Sequence, residues 1–266
     1  MPKLPDLIDL NTPSPTATLS KADQQFHQDF ISTIEDLHRR GWCDGTGGNF
    51  SVVIHQNPLV LLMAPSGVDK GQVREEMLIE VGANGEVIRG HGRASAETSL
   101  HLKIVKQLGC GAVLHTHSTT ATLISSIAEQ QGFVTLEGWE MLKGLQGVTT
   151  HEQQVQIPVV ANDQNIERLA QTSEPLLDNA PHGLLVAGHG LYAWGKTLSE
   201  ARRHVEILEF LLEVHWKQQL ISSQIDDDYP PATRYRRNDL PNQLRFEGSV
   251  SLRQTTTTHI PTSPFG

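Results

Sequence analysis

The sequence predicts an α/β protein of three layers, α/β/α, in which helices cover both faces of a mostly antiparallel central sheet. Helical and strand-like segments alternate along the chain, as is typical of a sheet covered by helices. Several neighbouring strands are separated only by tight turns, which favours antiparallel pairing over a doubly wound parallel sheet. With 266 residues, of which 38% are hydrophobic, the chain is long enough for one large domain.

The first part of the chain is predicted to contain an arm, a helix and a hairpin. Residues 1–19 are rich in proline, serine and threonine, which predicts a flexible N-terminal arm. Ser20 can cap a helix whose apolar residues recur at helical spacing until Gly41. Apolar segments at 50–54 and 59–63, separated by a turn, predict two paired strands.

The middle of the chain continues this alternation. A second hairpin is predicted from strands at 77–81 and 86–88, which are joined by a glycine-containing turn. Apolar residues on one face then predict a helix at 95–109, and the strand that follows carries two histidines. Residues 119–128 and 136–145 are both predicted to be helical.

The last elements end in a long helix. A strand is predicted at 155–160, where Pro158 indicates an edge or an irregular position. One or two helices follow, and then a hairpin whose second strand is 191–194. A Thr-x-x-Glu capping box begins a helix that is predicted to end near Leu220.

These predicted elements define the domain organisation. Residues 20–220 are interpreted as one domain, preceded by the arm. Residues 221–266 are polar and show little periodicity. We interpret them as a C-terminal tail that is either disordered or lies across a partner subunit.

Composition argues against several classes of partner. The formal net charge of −9 at pH 7 argues against nucleic acid or an anionic membrane, although local groups could still bind an anionic small molecule. No apolar segment approaches the length of a membrane span, and no apolar signal core follows the N-terminus. The two cysteines, Cys43 and Cys110, give no disulfide framework. We therefore expect a cytoplasmic protein with reduced thiols.

Three histidines lie where strands are predicted to end. His115 and His117 are separated by one residue, so a strand would point both side chains to the same face. His189 follows another apolar strand and lies between two glycines, which permit close backbone approach. Three neutral imidazoles with an open position suit a catalytic zinc or a similar divalent ion. The alternative is that these are ordinary histidines near strand ends.

Three loops of small residues could bind an anion. The segments at 46–49, 66–67 and 95–96 offer backbone N–H groups and short polar side chains. Such groups bind anions, above all at a helix N-terminus, which the third loop precedes. Each loop could instead be a plain turn, and their convergence does not follow from the sequence.

Two glutamates could carry protons near a metal. Glu140 lies in the predicted helix at 136–145, where a solvated surface carboxylate is the alternative. Glu97 lies in the first turn of a predicted helix, where a carboxylate also interacts favourably with the helix dipole. Neither residue would be selected without the histidines.

Five motifs occur in an order that resembles the class II aldolase and adducin-like family, over roughly residues 20–220. They are Gly-Thr-Gly-Gly-Asn-Phe-Ser at 45–51, Ala-Pro-Ser-Gly at 64–67, Ser-Ala-Glu at 95–97, His-Thr-His-Ser at 115–118 and Gly-His-Gly at 188–190. Three segments, at 65–71, 139–144 and 189–195, are similar to a branch of the family that dehydrates a ketose phosphate in methionine salvage.

The resemblance implies a fold and a set of chemical groups. The fold is a largely antiparallel sheet between helix layers, and the metal is one Zn²⁺ per chain at His115, His117 and His189. Acid–base catalysis is implied for Glu140. Glu97 matches an acidic position that is catalytic or metal-binding in some members.

The resemblance also implies a substrate class and an assembly. A sugar phosphate would bind through Asn49, Ser66, Gly67 and Ser95, and the protein would be a homo-oligomer, commonly a tetramer, with sites near subunit boundaries. An aldolase or a sugar-phosphate epimerase on the same scaffold is the enzymatic alternative. Adducin-type heads use this fold for interaction and would have no need of three histidines.

Overall fold

The computed structural model describes residues 20–180 and 182–228. The predicted arm, 1–19, and residues 229–266 of the predicted tail lie outside this part of the chain. Among the described residues, no helix combines the length and the apolar character needed to cross a membrane.

The described residues form nine strands, five α-helices and three short 3₁₀ helices. The strands are β1 (Asn49–Gln56), β2 (Leu59–Met63), β3 (Ile79–Gly82), β4 (Val87–Arg89), β5 (Ala112–Thr116), β6 (Phe133–Leu136), β7 (Val155–Val160), β8 (Gly183–Val186) and β9 (Gly190–Gly195). The α-helices are α1 (Lys21–Arg39), α2 (Thr98–Leu108), α3 (Thr119–Ala128), α4 (Ile166–Leu177) and α5 (Leu198–Asp228). The 3₁₀ helices are Lys70–Gln72, Glu75–Met77 and Glu140–Gly144.

The nine described strands form one sheet in the order β4-β3-β2-β1-β5-β9-β8-β7-β6. Every neighbouring pair is antiparallel except β7 and β8, which are parallel. The prediction of a mostly antiparallel sheet is therefore confirmed. Strand β5, which contains His115 and ends just before His117, is central and is paired on both sides, which fixes its position.

Helices cover both faces of the sheet, which confirms the three-layer α/β/α prediction. On one face, α1, α3 and α5 pack through apolar residues that include Phe30, Ile124 and Leu208. On the other face, α2 and α4 pack through residues that include Ile104 and Leu169. Successive side chains of β5 enter opposite cores, as strand geometry requires.

Several predicted boundaries agree with the structure. Helix α1 begins after Ser20, whose side chain accepts a hydrogen bond from the backbone N–H of Asp23. Helix α2 ends at Gly109, which adopts the left-handed conformation common after a helix. Helix α3 has the predicted bounds. In each case a capping residue or a turn residue marks the boundary in the sequence.

The prediction of a helix at 136–145 was wrong for most of that segment. Leu136 ends strand β6, and only Glu140–Gly144 is helical, as a single 3₁₀ segment. Gly138 lies between them with φ of +78°, a left-handed conformation that interrupts a right-handed helix. Strand β6 was not predicted, because its four residues are too short a segment to show a period.

Pro158 does not mark an edge strand, because β7 lies between β6 and β8. Pro158 is paired with Phe133 of β6, whereas the pairing with β8 begins at Val159. Pro158, which has no backbone N–H, therefore lies just before the residues of β7 that pair with β8. This is the irregular position that the proline also indicated.

Helix α5 is longer than predicted. It continues to Asp228, so residues 221–228 of the predicted tail are helical. Neither glycine nor proline interrupts the sequence between Leu220 and Pro230, so no stop signal is present there. The site described below lies in the part of the chain that precedes Leu220.

Candidate metal centre

Strands β5 and β9 bring the three histidines together. His115 lies near the end of β5, opposite Tyr192 of β9, and His117 follows the strand. His189 lies in the turn between β8 and β9. A Cβ atom on Gly190 would lie 2.0 Å from the backbone oxygen of Thr116, so only glycine permits this turn to approach β5.

The Nε2 atoms of the three imidazoles converge. His115 Nε2 lies 2.8 Å from His117 Nε2 and 3.3 Å from His189 Nε2, and the last two atoms are 3.1 Å apart. A tetrahedral zinc ion with Zn–N bonds of about 2.0–2.1 Å holds its nitrogen ligands about 3.3 Å apart. The spacing therefore fits one divalent ion, and together with Glu97 these residues form a group that could hold a metal.

Two of the imidazoles are neutral at physiological pH, as metal ligands must be. Burial lowers the pKa of His115 well below its usual value, and burial together with the neighbouring His189 lowers the pKa of His117. The Nδ1 atom of His115 lies 3.0 Å from the backbone oxygen of Leu191. A hydrogen bond donated there leaves a lone pair on Nε2, which points to the other histidines.

Glu97 is the carboxylate of this cluster. Its Oε1 atom lies 3.0 Å from His189 Nε2, and its Oε2 atom lies 3.6 Å from His115 Nε2 and accepts a hydrogen bond from Asn49. Burial raises the pKa of Glu97, but the two histidines and Asn49 outweigh it and hold the pKa well below its usual range. Glu97 is therefore ionised, as either a metal ligand or a proton acceptor must be.

Contacts on both faces of the sheet hold the end of strand β5 in place. The ring of Tyr192 stacks on His115 with 3.8 Å between ring centroids and 11° between planes. On the opposite face, Thr116 and Ser118 donate hydrogen bonds of 2.6 Å and 2.5 Å to the carboxylate of Glu209 on α5. Burial raises the pKa of Glu209 to about 7, although the two hydroxyl groups oppose this shift.

Helix α3 holds the turn that carries the third histidine. Thr122 donates a 2.9 Å hydrogen bond to the backbone oxygen of His189, and Ser125 accepts a 3.1 Å hydrogen bond from the backbone N–H of Gly188. Ser118 caps the same helix by accepting a hydrogen bond from the backbone N–H of Ala121. The positions of His117 and His189 are therefore fixed by one helix.

A cavity of about 660 Å³ opens beside the histidines, and three loops that are distant in sequence meet in its wall. The residues predicted to bind phosphate all line it: Asn49, Ser66, Gly67 and Ser95. His117, His189 and Glu97 line the same cavity, whereas His115 is fully buried behind them. The structure thus brings the loops that were predicted to bind an anion and the histidines into one cavity.

Sequence reasoning did not select two groups that line this cavity. One is Lys70, which follows the Ser-Gly loop, and the other is the polar segment at 162–164, which follows β7. Lys70 lies in one of the family-like segments, and this was the available signal for it. The segment at 162–164 has no distinctive spacing, so only the fold brings it opposite the loops.

The structure does not bring Glu140 to the cavity of its own chain. Glu140 begins the 3₁₀ helix after β6, and its side chain is 70% exposed. It pairs with Lys143, and His151 Nδ1 lies 3.7 Å from its other oxygen. The hydrogen bond and the charge of Lys143 lower the pKa of Glu140.

Comparison with known proteins identifies the family. The family described as Class II Aldolase and Adducin N-terminal domain matches residues 28–216. The chain belongs to this family. The match covers the whole metal centre and ends within α5.

Two curated relatives of this chain have the same name. A protein of Xanthomonas campestris pv. campestris (strain 8004), named methylthioribulose-1-phosphate dehydratase, is 41% identical over 204 residues, which are 74% of this chain and 92% of the relative. A protein of the same name from Pectobacterium carotovorum subsp. carotovorum (strain PC1) is 43% identical over 193 residues, 71% of this chain and 92% of the relative.

A solved structure supports the fold assignment. The crystal structure of L-fuculose-1-phosphate aldolase from Thermus thermophilus matches with a TM-score of 0.60 and 25% identity. The match covers 75% of this chain and 98% of that one. The family fold that the motifs implied is therefore confirmed.

Proposed function

We propose that this class II aldolase family member is a metal-dependent dehydratase that converts 5-methylthioribulose 1-phosphate into 2,3-diketo-5-methylthiopentyl 1-phosphate in methionine salvage. One observation carries the proposal: three convergent imidazoles adjoin a cavity whose wall contains three small-residue loops. A metal centre and an anion site in one cavity suit a ketose phosphate. The names of relatives at 41% and 43% identity support the choice among such substrates.

Zinc is the metal that we propose. His115, His117 and His189 would hold it, because three imidazoles with an open position are typical of catalytic zinc. The ion would supply Lewis-acid polarisation of the substrate carbonyl. Glu97 places a negative charge beside the same point, which favours a cation there. The zinc identity and the cytoplasmic location are predictions from the sequence.

The phosphate is proposed to bind in the loops that carry Asn49, Ser66, Gly67 and Ser95. Gly67 has φ of +78°, which side-chain-bearing residues rarely adopt, and a Cβ atom there would meet open space. Gly67→Val is therefore expected to distort the loop and raise KM for the phosphorylated substrate, with metal content unchanged. Equal use of the dephosphorylated sugar by the wild-type protein would contradict this phosphate site.

The reaction needs a group that accepts one proton and donates one. A base removes the proton from the carbon between the carbonyl and the carbon that bears the departing hydroxyl. The same group, now protonated, can give its proton to that hydroxyl, which leaves as water, and the remaining enol tautomerises to the diketone. We propose Glu140 as this proton carrier, and Glu97 as the carboxylate that acts at the metal.

Glu140 can have this role only in the cavity of another copy, because it does not line its own. We therefore propose a homo-oligomer, with the tetramer as the expected form, in which Glu140 of one chain completes the site of its neighbour. Exposed apolar side chains support a covered surface: Met141 beside Glu140, Leu123 and Ile127 on α3, and Phe210 on α5.

The direct test is turnover by the purified full chain. We expect the zinc-loaded protein to form the diketone from 5-methylthioribulose 1-phosphate, to lose activity with a chelator and to regain it with zinc. Failure to form the diketone with zinc bound at full occupancy would reject the proposal.

An aldolase or epimerase activity is the second candidate, and the position of Glu97 favours it. The carboxylate beside the histidines in this chain is Glu97, which matches an acidic position that is catalytic or metal-binding in some aldolases and epimerases. An aldolase would break a carbon–carbon bond and release a short phosphorylated fragment. Faster release of such a fragment from fuculose or ribulose phosphates than dehydration of the methylthio substrate would favour this candidate.

A further inference from the structure

Lys70 is a buried cation that forms no salt bridge among the described residues, although the negative charge of the neighbouring Asp69 acts on it. Only 2% of its surface is exposed, and its Nζ atom donates hydrogen bonds to the backbone oxygens of Thr46 at 3.1 Å and Val68 at 2.9 Å. The neighbouring Asp69 uses its carboxylate to accept hydrogen bonds from the backbone of Gly71 and the side chain of Gln72. No ion pair among the described residues includes Lys70.

A buried ammonium without a salt-bridge partner is unfavourable, because two carbonyl dipoles replace its hydration only in part. Burial accordingly lowers the pKa of Lys70, although the charge of the neighbouring Asp69 opposes this shift. A lysine ammonium has three N–H donors, and the two carbonyl bonds use two of them. One N–H donor of the ammonium is therefore available to a ligand.

The location of Lys70 indicates which ligand this is. Lys70 lines the cavity, and among the described residues that line it Lys70 is the only lysine or arginine. Ser66 and Ser95, which are proposed to bind the phosphate, lie in the same wall. The carboxylates in the wall are Glu97, which adjoins the histidines, and Asp163, which pairs with Arg168.

We propose that Lys70 is the cationic residue that binds the phosphate of the substrate and makes the cavity selective for phosphorylated sugars. The proposal rests on the proposed function for the identity of the substrate, but the binding of a phosphate anion does not require turnover. The phosphate would supply the missing counter-ion, and the loops would supply neutral hydrogen-bond donors around it.

The two carbonyl bonds give Lys70 a second effect on the same site. Lys70 holds the backbone at Thr46, and the next residue, Gly47, lies so close to His117 that a Cβ atom would be 3.0 Å from Nδ1. A phosphate that draws the ammonium into the cavity therefore acts on a loop in contact with a metal-ligand candidate. The phosphate site and the metal centre are linked by this loop.

The test measures the affinity of inorganic phosphate for the full chain by calorimetry, with zinc and, separately, after chelation. We expect Lys70→Met to bind phosphate roughly 10- to 100-fold more weakly than wild type in both conditions, as for the loss of a hydrogen bond to a charged group. Lys70→Arg keeps the charge and is expected to be intermediate. The matched control is Lys217→Met, an exposed lysine on α5 that should leave affinity unchanged.

Metal content and melting temperature establish that each variant is folded and loaded. If Lys70→Met does not fold, Lys70→Gln replaces it, because its amide can still donate to a backbone carbonyl. Wild-type phosphate affinity in a folded variant without the charge would overturn the proposal. Phosphate binding that depends on Lys70 in a protein that dehydrates no substrate would reject the proposed function and leave this inference intact.

Discussion

Glu97 and Glu140 are both glutamates at the start of a helical segment, yet their surroundings differ. The side chain of Glu97 is 13% exposed, accepts a hydrogen bond from Asn49 and lies 3.0 Å from His189 Nε2. The side chain of Glu140 is 70% exposed and pairs with Lys143 on the same 3₁₀ helix. Burial raises the pKa of Glu97, but two histidines and Asn49 outweigh this effect and lower it. The pKa of Glu140 is lowered by the neighbouring Lys143 on the surface.

Similarity to a catalytic motif and a position beside the histidines are therefore properties of two different glutamates in this chain. The motif around Glu140 indicates a proton carrier, but the fold of one chain leaves that carboxylate outside the cavity. Glu97 lies in the candidate metal centre, outside the segment that resembles the dehydratase branch of the family. A single chain therefore presents an incomplete site if Glu140 is essential, and a complete one if Glu97 carries the proton.

The largest expected effect comes from the ligands beside Glu97. His189→Ala is expected to lose the metal and all measurable turnover, because only two imidazoles and one carboxylate would remain. Metal analysis and the dehydratase assay check this prediction. The matched control is His55→Ala, an exposed histidine on β1 that should leave both unchanged. Full metal retention in His189→Ala would remove His189 from the ligand set.

The two glutamates themselves are expected to give different phenotypes. Glu140→Gln should keep the metal and lose roughly 10²- to 10⁴-fold in kcat, the usual cost of removing an acid–base group. Glu97→Gln should weaken metal binding as well, because it removes the negative charge beside His189. Metal titrations and steady-state kinetics of both variants test this, with the exposed Glu129→Gln as control.

Near-normal kcat in Glu140→Gln would move the proton-carrier role to Glu97. This result would favour the aldolase or epimerase alternative.

A smaller effect is expected at Glu209, the buried carboxylate on the opposite face of β5. Its pKa is raised from 4.5 to about 7 by burial, so the folded state binds the proton more tightly than the unfolded state. The stability from this group is present at low pH and is lost as pH rises from about 4.5 to about 7. Glu209→Gln cannot ionise, so it should not show this loss of unfolding free energy at high pH. Each unit by which the pKa is raised corresponds to about 1.4 kcal/mol of that loss.

Thermal unfolding of the chelated protein at pH 5 and pH 8 checks the Glu209 prediction. The stability of the variant minus that of wild type should be larger at pH 8 than at pH 5. A difference between the two proteins that does not change with pH would show that the carboxyl titrates normally despite its burial.

Much of the fold could be predicted from the sequence because local signals mark the elements. Ser20 caps α1, Gly109 ends α2, and the apolar segments of the first hairpin are separated by a turn. Strand β6 and the 3₁₀ helix after it were missed, because four residues show no period and the left-handed Gly138 divides the apparent helix. The end of α5 was missed because no glycine or proline marks Leu220.

The candidate site was predictable where one strand determines its geometry. His115 on β5 and His117 just after it were predicted to share a face because they are two residues apart, and this needs no tertiary information. The proximity of His189 and Glu97 depends on strand order and on the start of α2, which spacing does not encode. The roles of Lys70 and Glu140 depend on burial and exposure, and these are properties of the assembled fold.

The central claim is that Glu97 serves the site of its own chain whereas Glu140 serves the site of a neighbour, and co-expression tests it most directly. His189→Ala and Glu140→Gln chains, each inactive alone, are produced together with different tags, and the mixed oligomers are isolated through both tags. In a tetramer assembled at random from equal amounts of the two chains, roughly two sevenths of the sites in the mixed oligomers would combine an intact histidine set with an intact Glu140, so activity should return to about that fraction of wild type. Mixed oligomers that retain metal in their Glu140→Gln chains but stay inactive would contradict the claim.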